Sequence, residues 1–234
     1  MPGIMVSILV GLSFHNFGVN LFLSAAVLCG LISHGMIILQ GIILNFPTER
    51  DLILREFRNG AYSIPAYWTA RGGLSILIAC VQGAPMVTIW YSLVGFTPEF
   101  RVVLHVYFAS TLNACIFALM ACVMGLVNKT ELASAQVAEP LGSAMSIFSG
   151  QIISRRFIKP YALFAYYGLP ISWAFEIAIT AVLERKGDRG AEILSYYNLH
   201  PGNRGRNYAI LVAMVVLWFF IGMAVALRTL RGTD

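Results

Sequence analysis

Long apolar runs separated by short polar clusters set the pattern of this chain. Leu21 to Phe46, Gly73 to Gly95, Val102 to Val127, Ala133 to Ser154 and Tyr208 to Leu227 are the main ones. Each reaches roughly the 20 residues that a helix needs to cross a bilayer core. Met1 to Phe14 is apolar as well, but a helix of that length spans only about 21 Å, so it predicts a truncated first span. Pro160 to Leu183 is apolar but interrupted by Pro170 and Glu176, which predicts a re-entrant segment inside a long polar region, 155–207. The expected class is all-α: a polytopic transmembrane helical bundle over 1–234, with five full spans, a partial first span and a polar loop at 47–72.

Composition sharpens this picture. The chain is 58% hydrophobic and 12% charged, whereas a soluble domain carries about 25% charged residues because its surface faces water. No Asp, Glu, Lys or Arg occurs from Met1 to Thr48, Gly72 to Pro98, Val102 to Asn128 or Asn207 to Leu227. The expected location is therefore integral and multi-pass, in the plasma membrane or an intracellular one, with membrane lipids as partners. The net charge of +5 comes from basic residues in loops between spans. Such charges orient helices, so no nucleic-acid partner is expected. Cys29, Cys80, Cys115 and Cys122 all lie in apolar spans, which suggests neither a disulfide framework nor a metal site. Met1 to Phe14 lacks the positive n-region of a secretory signal.

Placing 47–71 in the cytosol puts Arg50, Arg55, Arg58, Arg71, Lys129, Arg228 and Arg231 inside, as short loops prefer. The long region on the other side also carries basic residues, Arg155, Arg156 and Lys159 among them, but the charge rule weakens for long loops. In this orientation the sequon Asn128-Lys129-Thr130 faces the cytosol and goes unused.

The most informative polar stretch runs from Glu49 to Tyr67. Leu52 and Leu54 among Arg50, Asp51, Arg55 and Glu56 predict a short amphipathic helix at the membrane surface. Gly60 is placed to end it. Tyr62, Tyr67 and Trp68 suit the headgroup zone before the next span. The arrangement Glu49, Arg50, Arg55, Glu56, Gly60, Tyr62 and Tyr67 resembles the cytosolic loop of ABC transporters of the White (ABCG) type. Phe148-Ser149-Gly150 is similar to that family's extracellular "FSG", and Pro170, Phe175 and Glu176 resemble the element that dips into the membrane before its last span. The three matches keep the family's order, and with the span pattern the likeness covers essentially the whole chain.

The resemblance implies the transmembrane half of an ABC-2 type exporter. In it, the 49–67 loop carries the coupling helix that rests on an ATP-binding domain. It also implies a homo- or heterodimer with another ABCG-type half, and a substrate cavity bordered here by His34, Ile37, Gln136, Glu139, Ser143 and Ser146. Phe148, Ser149, Gly150, Pro170, Phe175 and Glu176 would form the extracellular gate and re-entrant element. Substrates in the family are lipids, sterols or other hydrophobic small molecules. There are departures. The third span lacks the family's initial acidic residue and following Pro, with Pro85 coming later, and the extracellular loop lacks cysteines, so no loop disulfide is expected.

No G-x-x-x-x-G-K-[ST] phosphate cradle occurs in the sequence. The chain is thus not expected to be an enzyme by itself or to bind a cofactor or metal; ATP and Mg would be held by an ATP-binding domain in trans or upstream. A truncated, non-transporting fragment or regulatory subunit that dimerises with full-length relatives is the alternative. An intramembrane serine protease is disfavoured, because Ser149 lacks a preceding Gly-x and neither His34 nor His105 shows a partner in the sequence. Ala121-x-x-x-Gly125 and Ser146-x-x-x-Gly150 are small-residue pairs that suit a close helix seam between subunits.

Overall fold

The computed structural model describes residues 2–231 except 16, 17, 19, 20, 97, 98, 129, 155–157 and 185. At 47, 48, 50, 51, 54, 58, 131 and 231 it describes the backbone alone. Thr97, Pro98 and the sequon's Lys129 lie outside the described residues. The described chain is helical, in the order α1 (Pro2–Ser13), α2 (Leu21–Arg58), α3 (Ile64–Val94), α4 (Phe100–Val127), α5 (Glu131–Ile147), α6 (Leu163–Gly168), α7 (Pro170–Leu183), α8 (Gly187–Tyr197) and α9 (Arg204–Arg231).

Among the described residues, four segments are long and apolar enough to cross a membrane: Leu21–Phe46, Ile64–Val94, Phe100–Val127 and Pro201–Leu230. The pair Pro160–Gly168 and Pro170–Leu183 counts as a fifth if read as one span broken by 77°. The expected span 133–154 is shorter in the structure. α5 is 17 residues long, about 25 Å at 1.5 Å per residue. The chain leaves the helix after Ile147 and turns at Gly150, whose φ of 89° lies in the left-handed region. The polar region 155–207 also contains a helix, α8, beyond the apolar α7.

α4 is the axis of the bundle. Most of its side chains are buried, and α2, α3, α7 and α9 pack around it. Small residues allow the close approach: Phe46 of α2 lies over Gly125, and Phe117 of α4 lies over Gly35 of α2. Ala121 and Gly125 thus serve contacts within the chain rather than a seam between chains. Ser146 and Gly150 do not form a helical pair either, since Gly150 is outside α5 and packs on Tyr166.

The peripheral helices are inside-out relative to a soluble protein. α1 buries Gly3, Ser7 and Gly11 while Met5, Leu9 and Leu12 face outward. Gly3 sits on Gln82 and Met86 of α3, and Gly11 on Leu93. α9 likewise exposes Val212, Val216, Leu217 and Phe220. Hydrocarbon solvates these side chains, so what is packed inside is chosen for fit rather than for hydrophobicity.

Candidate functional site at the elbow between the second and third helices

The first 26 residues of α2 are its span, yet the helix continues for 38 residues to Arg58. The amphipathic segment is therefore not a separate surface helix but the continuation of α2 past Pro47, about 57 Å of helix in all at 1.5 Å per residue. Gly60, at φ 69°, ends it. The Ala61 N–H reaches the Glu56 carbonyl at 3.1 Å and the Gly60 N–H reaches Phe57 at 3.0 Å, a Schellman closure. α3 starts at once, with the Ser63 hydroxyl accepting from the Ala66 N–H and Pro65 in the first turn.

This reversal folds Tyr62 back on α2. Its hydroxyl donates to Glu56 Oε2 at 3.0 Å, and its ring stacks on Tyr67 with centroids 6.0 Å apart. Burial first, and then the Glu56 carboxylate, push the Tyr62 phenol above its ordinary pKa. One turn beyond Tyr67, Arg71 reaches across to Glu49 of α2 at 2.8 Å. Its guanidinium lies 5.6 Å from the Phe46 ring, the ring that covers Gly125. Between these anchors is a pocket of about 430 Å³, lined by Glu49, Glu56, Tyr62 and Tyr67 with Leu52, Ile53, Ala66 and Ala70. Four of the seven motif residues thus share one cavity; Gly60 makes its turn and Arg55 is exposed beside it. The side chain of Arg50 lies outside the described residues.

Trp68 departs from expectation. It is fully buried rather than at a headgroup surface, and its Nε1 donates to the Phe219 carbonyl of α9 at 2.9 Å. A buried indole usually finds a partner for its one donor, and here the α9 backbone accepts it.

The residues expected to border a cavity fall in three places. Glu139 lines a pocket of about 180 Å³ between α5 and α2 with Met36, Gln40 and Leu44. Gln136 and Ser143 are exposed on the same helix and Ser146 is half-buried. The two serine hydroxyls donate back to the Glu139 and Gly142 carbonyls. Ile37 lies elsewhere on α2, in a groove toward Ile78 and Gln82 of α3. His34 is in the bundle core, fully buried, so it borders no open surface in this conformation. Its Nδ1 is 2.8 Å from the Ser110 hydroxyl of α4, and its Nε2 faces the Ala79 carbonyl of α3 without completing a hydrogen bond. The histidine does have a partner, as does His105, which pairs with the Tyr208 hydroxyl at 3.0 Å. The buried His34–Ser110 pair has no access for a substrate and reads as a polar clamp among α2, α3 and α4.

At the end opposite the elbow, the remaining two motifs meet. Ser149 is buried and donates to the Ser146 carbonyl, while Phe148 caps α5. Gly150 packs on Tyr166, whose carbonyl accepts from the Ser172 hydroxyl at 2.6 Å. Pro170 opens α7, where all fourteen residues are buried, Phe175 and Glu176 included. Phe175 packs edge-on against Tyr197 of α8. Among the described residues no three His, Cys, Asp or Glu side chains are grouped to hold a metal.

The sequence model of the ABC-2 type transporter membrane region matches residues 2–183, most of the chain. The chain belongs to the ABC-2 type transporter family. Its relatives include ABC transporter G family member 33 of Arabidopsis thaliana, 27% identical over 178 residues, which covers 73% of this chain and 13% of that protein. ABC transporter G family member 5 of the same plant is 23% identical over 243 residues, covering 93% and 36% respectively. Protein brown of Drosophila virilis is 24% identical over 142 residues, 59% of this chain and 21% of that one. The chain spans about a third or less of the curated relatives it matches.

As an ABC-2 type membrane domain the chain is an integral, multi-pass membrane protein, and its helices carry the lipid-facing surfaces that this requires. Arg71 and Trp68, which tie the elbow to α2 and to α9, were not singled out as site residues by sequence reasoning. Arg71 offered one signal, being the last charge before the charge-free run from Gly72 to Pro98.

Proposed function

We propose that this chain is the permease part of an ATP-driven transporter of the ABCG type, working as a dimer. An ATP-binding domain, in the same polypeptide or in trans, drives it through the α2–α3 elbow. The observation that carries the reading is the convergence of Glu49, Glu56, Tyr62 and Tyr67 on one pocket. That pocket ends a helix whose residues continue through Pro47 to the far side of the bundle. Push or pull at the elbow is delivered along α2 as a rigid-body tilt, because a helix transmits displacement while a loop absorbs it. α2 also forms one wall of the Glu139 pocket, so the same tilt changes the gap to α5, where a substrate path would lie. The lipid-exposed, largely apolar faces of α2 and α5 suit lipids, sterols or other hydrophobic molecules. The elbow end faces the cytosol in this reading.

The test is Glu56→Ala in the assembled transporter, reconstituted in vesicles, with ATP hydrolysis and substrate movement measured together. Loss of the carboxylate that holds Tyr62 loosens the elbow. Transport should fall several-fold while hydrolysis persists and the protein still inserts. An unchanged number of substrates moved per ATP would remove the elbow from the coupling path.

A further inference from the structure

From Lys159 to Gly168 the chain turns its aromatic side chains outward. Tyr161 is 79% and Phe164 77% exposed, Tyr167 is exposed beside them, and from Pro160 to Gly168 only Tyr166 is buried. The orientation is fixed rather than accidental. Tyr166 is seated on Gly150, its carbonyl is held by Ser172, and the Tyr167 carbonyl accepts from Trp173 Nε1 at 3.0 Å. Tyr161 in the 3-10 turn Pro160–Ala162 and Phe164 in the first turn of α6 are both exposed, three residues apart. The 77° bend at Leu169 turns this face away from the buried α7.

Two cations border the patch. Lys159 is exposed at its start. Arg206, also exposed, lies 5.9 Å from the ring of Trp173, which in turn packs on Tyr167. Phenols whose rings are apolar and hydroxyls wet, flanked by Lys and Arg, match the level of a bilayer where acyl chains give way to phosphates. A subunit interface is a poorer fit, because Lys is depleted in such surfaces. We infer that Lys159–Tyr167 is an interfacial anchor for glycerophospholipid on the side opposite the elbow. Its aromatic face sits at the headgroup–acyl boundary, and its bordering cations meet lipid phosphate. Held so, the anchor fixes the depth of α7 in the bundle. This inference rests on the membrane-spanning fold and not on the transport reading.

The experiment places the photoreactive residue p-benzoylphenylalanine at 164 in the full chain. The protein is reconstituted in vesicles of phosphatidylcholine and phosphatidylglycerol, irradiated, and its adducts are identified by mass spectrometry. Phe220, outward on α9, carries the same label as a positive control for lipid capture. A phospholipid adduct at 164 comparable in yield to that at 220 is the expected result. Lys159→Glu should then lose most of the adduct at 164 and leave that at 220 unchanged. Capture of a second polypeptide at 164, no adduct there while 220 is labelled, or indifference to Lys159→Glu would each overturn the anchor.

Discussion

Removing Glu49 should damage the elbow more than removing Arg71, and removing both should be milder than removing Glu49 alone. The ordering follows from unequal burial, since the Arg71 side chain is 15% exposed and that of Glu49 39%. Stripping one partner from a fully buried ion pair costs about 3–5 kcal/mol, because the other charge is left without compensation. A fully exposed pair is worth about 0–1 kcal/mol. In Glu49→Met the stranded group is the more buried one. Arg71 already has an Nε without a hydrogen-bond partner and rests on the Phe46 ring, so a cost of about 2–3 kcal/mol is expected. In Arg71→Met the stranded carboxylate can hydrate. What is lost is chiefly the cation–π contact, about 0.5–1 kcal/mol, and the thioether partly replaces it against the same ring. The expected cost is about 1 kcal/mol, and the double variant should sit near the same value, a coupling of about 2–3 kcal/mol. Thermal unfolding of the four proteins in lipid nanodiscs, followed by size exclusion of a fluorescent fusion, gives the order of melting temperatures. Equal losses for the two single variants, or additivity in the double, would refute the argument from burial.

Three further outcomes are expected. Gly222→Ala places a Cβ 1.9 Å from Cζ2 of Trp68, so it should destabilise by about 1–3 kcal/mol through overpacking; Trp68→Phe in that background should recover part of the melting temperature. His34→Ala removes the Ser110 contact and opens a cavity in the core, so it should cost about 2–4 kcal/mol. Because the side chain borders no open surface, substrate dependence of the surviving activity should be unchanged, and a shifted apparent affinity would return His34 to the transport path. Glu139→Gln keeps the volume of the side chain between α2 and α5, so it should alter apparent substrate affinity with little change in melting temperature; an unaltered dose response would take Glu139 out of the path.

The sequence by itself determined that this is a helical membrane protein, because a charge in hydrocarbon is so costly that charge-free runs can be read directly as spans. Each of the four runs without Asp, Glu, Lys or Arg falls mostly on helices of the bundle. Gly60 was legible as the end of the amphipathic helix, because glycine takes the left-handed φ at such a stop, whereas the return of Tyr62 onto Glu56 came from the structure. The break at Pro170 was legible too: proline there has no N–H to give to a continuing helix.

Only the tertiary structure decided which neighbours those residues meet. That α2 continues through the polar segment was hidden, because charged residues after an apolar run fit a separate surface helix equally well. Glu49 and Arg71 are 22 positions apart, and nothing local pairs them. His34 was expected at a surface and is in the core, since a polar residue on an apolar helix does not reveal which side faces its neighbours. Ala121 and Gly125 were expected between subunits; instead Ala121 is buried in the core and Gly125 admits Phe46 of the same chain. In a membrane both lipid-facing and buried faces are apolar, so the alternation that tells inside from outside in a soluble helix is absent. Packing supplies that missing information: a glycine under Phe46 or Trp68 marks a buried face, and an unfilled row of Leu and Val marks lipid.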